Sequence, residues 1–129
     1  MSQCNLKSIS TDKAPKAIGP YSQAVVVNDL VFVSGQIPID PKTGNLSNDS
    51  FKNQVKLVLD NISEILKASN TSLSNVVKTT VFIKDINNFG EFNEVYGTYF
   101  NENKPARSLV EVNNLPKGAL VEIECIAVK

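Results

Sequence analysis

Apolar positions along the chain follow two periods. From Phe51 they recur at Val55, Val58, Leu59, Ile62, Ile65 and Leu66, the spacing of a helix with one buried stripe. A second such stretch places Phe89, Phe92, Tyr96, Tyr99 and Phe100 on one side. Elsewhere the pattern is that of strands: Ala24–Val27, Leu30–Ser34, Val76–Ile83, Ala106–Val112 and Leu120–Val128, with a further short segment at Leu6–Ile9. These runs are rich in the β-branched residues that suit a pleated surface. Asn28-Asp29 suits a two-residue hairpin turn, because both types tolerate positive φ. Gly35, Pro38, Pro41 and Gly44 mark one loop, and Asn113–Gly118 joins the last two strands. The 15 Asn residues also fall inside helical and strand patterns, so only clusters of them count as turn signals. The order ββ-α-β-α-ββ, opened by the short extra segment, predicts an α+β fold over residues 1–129 as one domain.

The strand faces bear on assembly. Alternation puts Val77, Thr79, Val81 and Ile83 on one face and Val76, Lys78, Thr80 and Phe82 on the other. Val31 and Val33 oppose Phe32. The last strand carries Val121, Ile123, Cys125 and Ala127 on one side, Ile126 and Val128 on the other. Both faces of the sheet are thus largely apolar, while two short-linked helices cover only one. An identical subunit is the simplest cover for the second, which predicts a homo-oligomer.

Composition narrows the chemistry. Thirteen basic and thirteen acidic residues give a net charge of zero, which argues against nucleic-acid binding driven by a surplus of Lys and Arg. The chain has no histidine, so Ser-His-Asp triads, His-His ribonuclease pairs and His-containing zinc sites are all excluded. Cys4 and Cys125 lie at opposite ends and form no CxxC or ligand cluster, which argues against a structural disulfide or a metal site. Residues 1–30 lack a basic start followed by a long apolar core, and no apolar run reaches membrane-spanning length. The expectation is a soluble, cytoplasmic protein.

Polar residues that interrupt the apolar pattern are the candidates for chemistry. Arg107, Leu109 and Glu111 alternate onto one face of their strand, and Glu122 and Glu124 onto one face of the last. If the two strands pair, an Arg and one or two Glu residues share a side. Two kinds of reading stay open there: an anion-binding Arg beside a general acid/base Glu, or, the commoner case, a structural charge pair or a rim of solvated charge at the sheet's edge. Tyr21 sits on a tight turn, Ala17–Gln23. Ser34-Gly35 ends a buried strand, where glycine permits close approach to the backbone. Asn93 lies on the apolar side of the second helix and needs a partner, structural or ligand.

Five segments together resemble the RidA/YjgF family, also labelled endoribonuclease L-PSP. They are AIGPYSQ at 17–23, VSGQI at 33–37, VVKTTVFIKD at 76–85, PARS at 105–108 with Val110–Val112, and VEIECIAV at 121–128. They run in order and at similar spacing over nearly the whole chain. The resemblance implies a chorismate-mutase-like mixed β-sheet with two helices on one face, forming homotrimers with clefts between subunits. It implies hydrolysis of reactive enamine/imine intermediates, 2-aminoacrylate and 2-iminobutanoate, to 2-oxo acids and ammonia, without a cofactor or metal. Pyridoxal-phosphate-dependent dehydratases would supply these intermediates. Carried over by position, Arg107 matches the Arg that binds the substrate carboxylate and Glu122 the acid that handles the attacking water; Tyr21, Ser34, Gly35 and Asn93 match cleft-lining positions. The chain departs from the family at Leu109, where Cys is frequent. A thiol nucleophile is excluded there, a backbone contribution from residue 109 survives, and substrate preference is where the change would be felt. The rival expectations are an endoribonuclease or translation inhibitor, and a non-catalytic carboxylate-binding or chaperone-like trimer.

Overall fold

Strands β1 (Leu6–Ile9), β2 (Ala24–Val27), β3 (Leu30–Gln36), β4 (Val76–Ile83), β5 (Ala106–Glu111) and β6 (Val121–Val128) form one sheet of order β1-β2-β3-β6-β4-β5. These assignments come from a computed structural model, which describes residues 5–129; Cys4 lies outside the described residues. Every pairing is antiparallel except β4 with β5. Helices α1 (Phe51–Ala68) and α2 (Phe89–Tyr99) are the remaining large elements. Antiparallel neighbours need only tight turns, as at Asn28, which takes the left-handed conformation at φ 52°. The parallel β4–β5 pair requires a crossover, and α2 supplies it.

Helix α1 begins where Ser50 accepts a hydrogen bond from the Asn53 N–H, satisfying a donor that the first helical turn leaves free. All seven apolar residues of its predicted stripe are buried, and the helix packs on β3, β6 and α2. Val31, Val33, Val81, Ile83, Val121, Ile123, Cys125 and Ala127 join the same buried core from the sheet. In α2 the predicted stripe is shifted: Phe92, Val95, Tyr96 and Phe100 are buried, while Phe89 is 44% exposed. No helix among the described residues is long and apolar enough to cross a membrane.

The helices cover one face, as the strand patterns predicted. On the other, Phe32, Val77 and Val110 stay 41–45% exposed, with Phe82, Ile126 and Val128 partly so.

Two bulges alter strict alternation. In β4, Val76 pairs with Ala127 and Lys78 with Ile126. The extra residue puts Val76 on the buried side with Thr79, Val81 and Ile83, and turns Val77 outward. The expected grouping of Val77 with Thr79 is therefore corrected. In β3, Val33 pairs with Cys125 but Gln36 with Ile123, so Ser34-Gly35 carries the second bulge and Gln36 is buried.

The strands of Arg107 and Glu122 do not pair, so the condition for their sharing a side is not met. β4 lies between β5 and β6. Thr79 on β4 pairs with Arg107 on one side and Cys125 on the other, and Phe82 with Glu122. Arg107 thus shares the helix-covered face with Thr79, whereas Glu122 shares the open face with Phe82.

Candidate functional site

The candidate residues form two groups on opposite faces of the sheet. The first surrounds Arg107. Its Nη1 donates to Asn93 Oδ1 at 2.8 Å, and its guanidinium carbon lies 4.9 Å from the Tyr96 ring centroid, 5.6 Å from Phe92 and 5.8 Å from Phe89. Tyr96 is itself held by a 2.7 Å hydrogen bond between its hydroxyl and Thr79 Oγ1. Burial raises the Tyr96 hydroxyl pKa, with smaller opposing effects from Thr79 and Arg107, so it remains a neutral phenol. Aromatic faces attract a guanidinium without neutralising it.

Arg107 is partly buried, and among the described residues no carboxylate pairs with it. Glu111, on the same strand, is used elsewhere: its Oε2 accepts the Ile86 N–H at 2.8 Å. The structural charge pair that the strand pattern left open is absent among these residues. The Arg keeps donors for an incoming anion. Leu109, two residues along the same face, is half-buried and packs against the core. The Val112 N–H donates to the Ile83 carbonyl. Parallel alternation then leaves the N–H groups of residues 107 and 109 pointing away from β4, at the free edge of the sheet.

The second group lines a cleft of about 410 Å³ on the other side. Tyr21, Gly35 and Glu122 meet there, with Lys16, Ile18 and Lys117 at its walls. Tyr21 projects from a turn built on Gly19, at φ 124°, and is 52% exposed. The turn is anchored by buried Gln23, whose Nε2 donates to the Pro15 carbonyl at 2.7 Å and whose Oε1 accepts the Thr11 N–H at 2.7 Å. Glu122 is half-buried, and its pKa is raised, first by loss of solvent and then by the neighbouring Glu124 charge. A carboxylate made more basic in this way is suited to accept a proton near neutral pH.

Ser34 sits beside this cleft but is committed to the fold. Its Oγ donates to the Ser22 carbonyl and its N–H to the Gln23 carbonyl. Cys125 is buried on the helix face, and burial pushes its thiol up to about 12. It is therefore not a thiolate at neutral pH. Sequence reasoning did not single out the aromatic shelf under Arg107, whose residues read as ordinary helix core, or the cleft wall at Lys117. The Pro116-Lys117-Gly118 turn was the available signal; Lys117 takes the left-handed conformation at φ 58°.

Comparison with known proteins gives the family. The model of the family described as "Endoribonuclease L-PSP" matches residues 11–129. A 2-iminobutanoate/2-iminopropanoate deaminase of Rattus norvegicus is 53% identical over 129 residues, covering 100% of this chain and 94% of its own. A RutC family protein of Pyrococcus abyssi is 55% identical over 121 residues, 94% of this chain and 95% of its own. Among solved structures, E. coli TdcF with bound serine superposes with a TM-score of 0.91 at 46% identity, covering 95% of this chain and 98% of that one. The sheet order, the five sequence segments and these matches agree, and the chain belongs to the endoribonuclease L-PSP family, the RidA/YjgF proteins.

Proposed function

We infer that this chain is a 2-iminobutanoate/2-iminopropanoate deaminase, which hydrolyses reactive enamine/imine intermediates to 2-oxo acids and ammonia. The observation that carries the site assignment is the Arg107 guanidinium, which is fixed by Asn93 and three aromatic rings and has no carboxylate partner among the described residues. A 2-imino acid carries a carboxylate beside its electrophilic C=N carbon. A planar guanidinium grips that carboxylate with two parallel hydrogen bonds and so orients the carbon. The outward N–H of Leu109 offers a further donor at the same edge.

Glu122 is the base. It takes a proton from water as the oxygen bonds to the imine carbon, giving a tetrahedral carbinolamine. Glu122 returns this proton to the nitrogen and then relays the carbinolamine hydroxyl proton to the same nitrogen; the C–N bond breaks, and ammonia leaves as the carbonyl forms. The imine is already activated, so this exchange needs positioning and modest acid/base assistance. Zero net charge and the absence of histidine weigh against RNA cleavage.

Arg107 and Glu122 of one chain lie on opposite faces of its sheet, so one copy does not supply both to one substrate. The complete site takes Arg107 and Asn93 from one subunit, and Glu122, Gly35 and Tyr21 from its neighbour. A homotrimer closes this head-to-tail arrangement, and the apolar open face is surface for a neighbouring copy to cover. The substrates are small 2-imino acids released by pyridoxal-phosphate-dependent dehydratases. The test couples a threonine dehydratase to the protein and follows 2-oxobutanoate. The protein should accelerate its appearance beyond the spontaneous rate, and an unchanged rate overturns the assignment.

A further inference from the structure

Glycines in this chain serve two different needs. Gly19, Gly44 and Gly118 occupy left-handed φ, where a side chain strains the backbone. Gly35 does not, so its conformation is open to any L-residue. What excludes a side chain there is Glu122: a Cβ on residue 35 would stand 2.9 Å from both Glu122 Cδ and Oε2, and 3.2 Å from Cγ. No other glycine with an ordinary φ has a neighbour within 4 Å of that point.

The bulge makes this seat. Between Val33 and Gln36, β3 spends three steps against two on β6, which turns both Val33 and Gln36 inward and leaves Ser34-Gly35 over Glu122. The Ser34 N–H and Oγ tie the bulge to the carbonyls of Gln23 and Ser22, the end of the same turn that presents Tyr21. The Glu122 carboxyl thus rests on bare backbone, on a segment fastened to the other side of the cleft.

We propose that Gly35 is a positioning residue for the base: its missing side chain is the space in which the Glu122 carboxyl is held, and the β3 bulge sets that carboxyl against Tyr21. This rests on the assignment of Glu122 as base. Glu122 is a flexible side chain on an intact strand, so a methyl at residue 35 displaces the carboxyl rather than the backbone. The displacement costs the carboxyl its position and costs the fold the packing of that side chain. A shift of about 1 Å in a catalytic group costs on the order of a hundredfold in rate, so Gly35→Ala should lower kcat by at least about tenfold and move KM little, because Arg107 is untouched.

The experiment is a double-mutant cycle of Gly35→Ala and Glu122→Ala in the full chain, read by thermal melting, with kcat and KM measured on Gly35→Ala alone. The melting penalty of Gly35→Ala should be present in the native background and disappear in the Glu122→Ala background. Folding only in the second background is the same result in stronger form. An equal penalty in both backgrounds, failure to fold in both, a native kcat, or a rise in KM alone overturns the proposal. Failure of the base assignment is read separately: Glu122→Gln would keep full turnover while the melting cycle still showed the contact.

Discussion

The Arg107 edge and the Glu122 cleft are built by opposite strategies. Arg107 projects beneath its own α2, where aromatic faces and one amide hold it. Its charge is stabilised by quadrupoles and a dipole and is left without a counter-ion among the described residues. Glu122 projects to the uncovered side, against bare backbone, where loss of solvent and then the neighbouring Glu124 charge make it more basic. One region is ordered by packing within the chain and suited to binding an anion. The other is an open half-site suited to moving a proton. The two share a sheet but not a face, so the site proposed above needs a second copy to bring them together.

The largest effect is expected at the binding half. Charge-assisted hydrogen bonds contribute roughly 1.5–3 kcal/mol each, so Arg107→Ala should lower kcat/KM on the order of a hundredfold or more. Arg107→Lys should restore little, because an ammonium lacks the forked geometry. A lysine variant near native activity in the coupled assay would reduce Arg107 to a simple point charge.

At the catalytic half, Glu122→Gln should lower kcat while 2-oxobutanoate binding, followed by calorimetry, persists. Glu124→Gln is the control; equal damage there would move the base one pleat along β6. Mixing the two lesions tests the division between subunits. Arg107→Ala and Glu122→Gln chains refolded together at equal amounts should restore roughly a quarter of the clefts by random assortment in a head-to-tail ring. No recovery in confirmed mixed oligomers would place both residues in one chain's site.

A smaller loss is expected from Asn93→Ala. It removes one hydrogen bond to a charged group, on the order of tenfold in kcat/KM by the same energies. The smallest signal is in stability. The raised Glu122 pKa means that ionising this group disfavours the folded state as pH rises from the ordinary carboxyl value of 4.5 through its raised value. Glu122→Gln should therefore melt close to the native chain at pH 4 and above it at pH 7. A gain of the same size at both values would trace to something other than the charge.

The helical stripes and the strand runs were legible because burial imposes a period on the residues that face the core. Every apolar position predicted for α1 is buried. Phe89 departed from its stripe because the guanidinium side of α2, not the core, is its neighbour. Arg107, Asn93, Glu122, Tyr21 and Gly35 stood out as polar or flexible interruptions of apolar segments, and the family motifs gave them their order. Their grouping was not legible in the same way.

Local pattern determined which residues form each element and which of them are candidates for chemistry, since propensity and alternation act over a few residues at a time. Tertiary structure alone decided that β4 separates β5 from β6, that one bulge turns Val77 outward, and that another lays Ser34-Gly35 over Glu122. Strand neighbours and bulges are set by how all six strands pack against two helices. That balance of long-range contacts is carried by no single segment, and it is what places Arg107 on one face and Glu122 on the other.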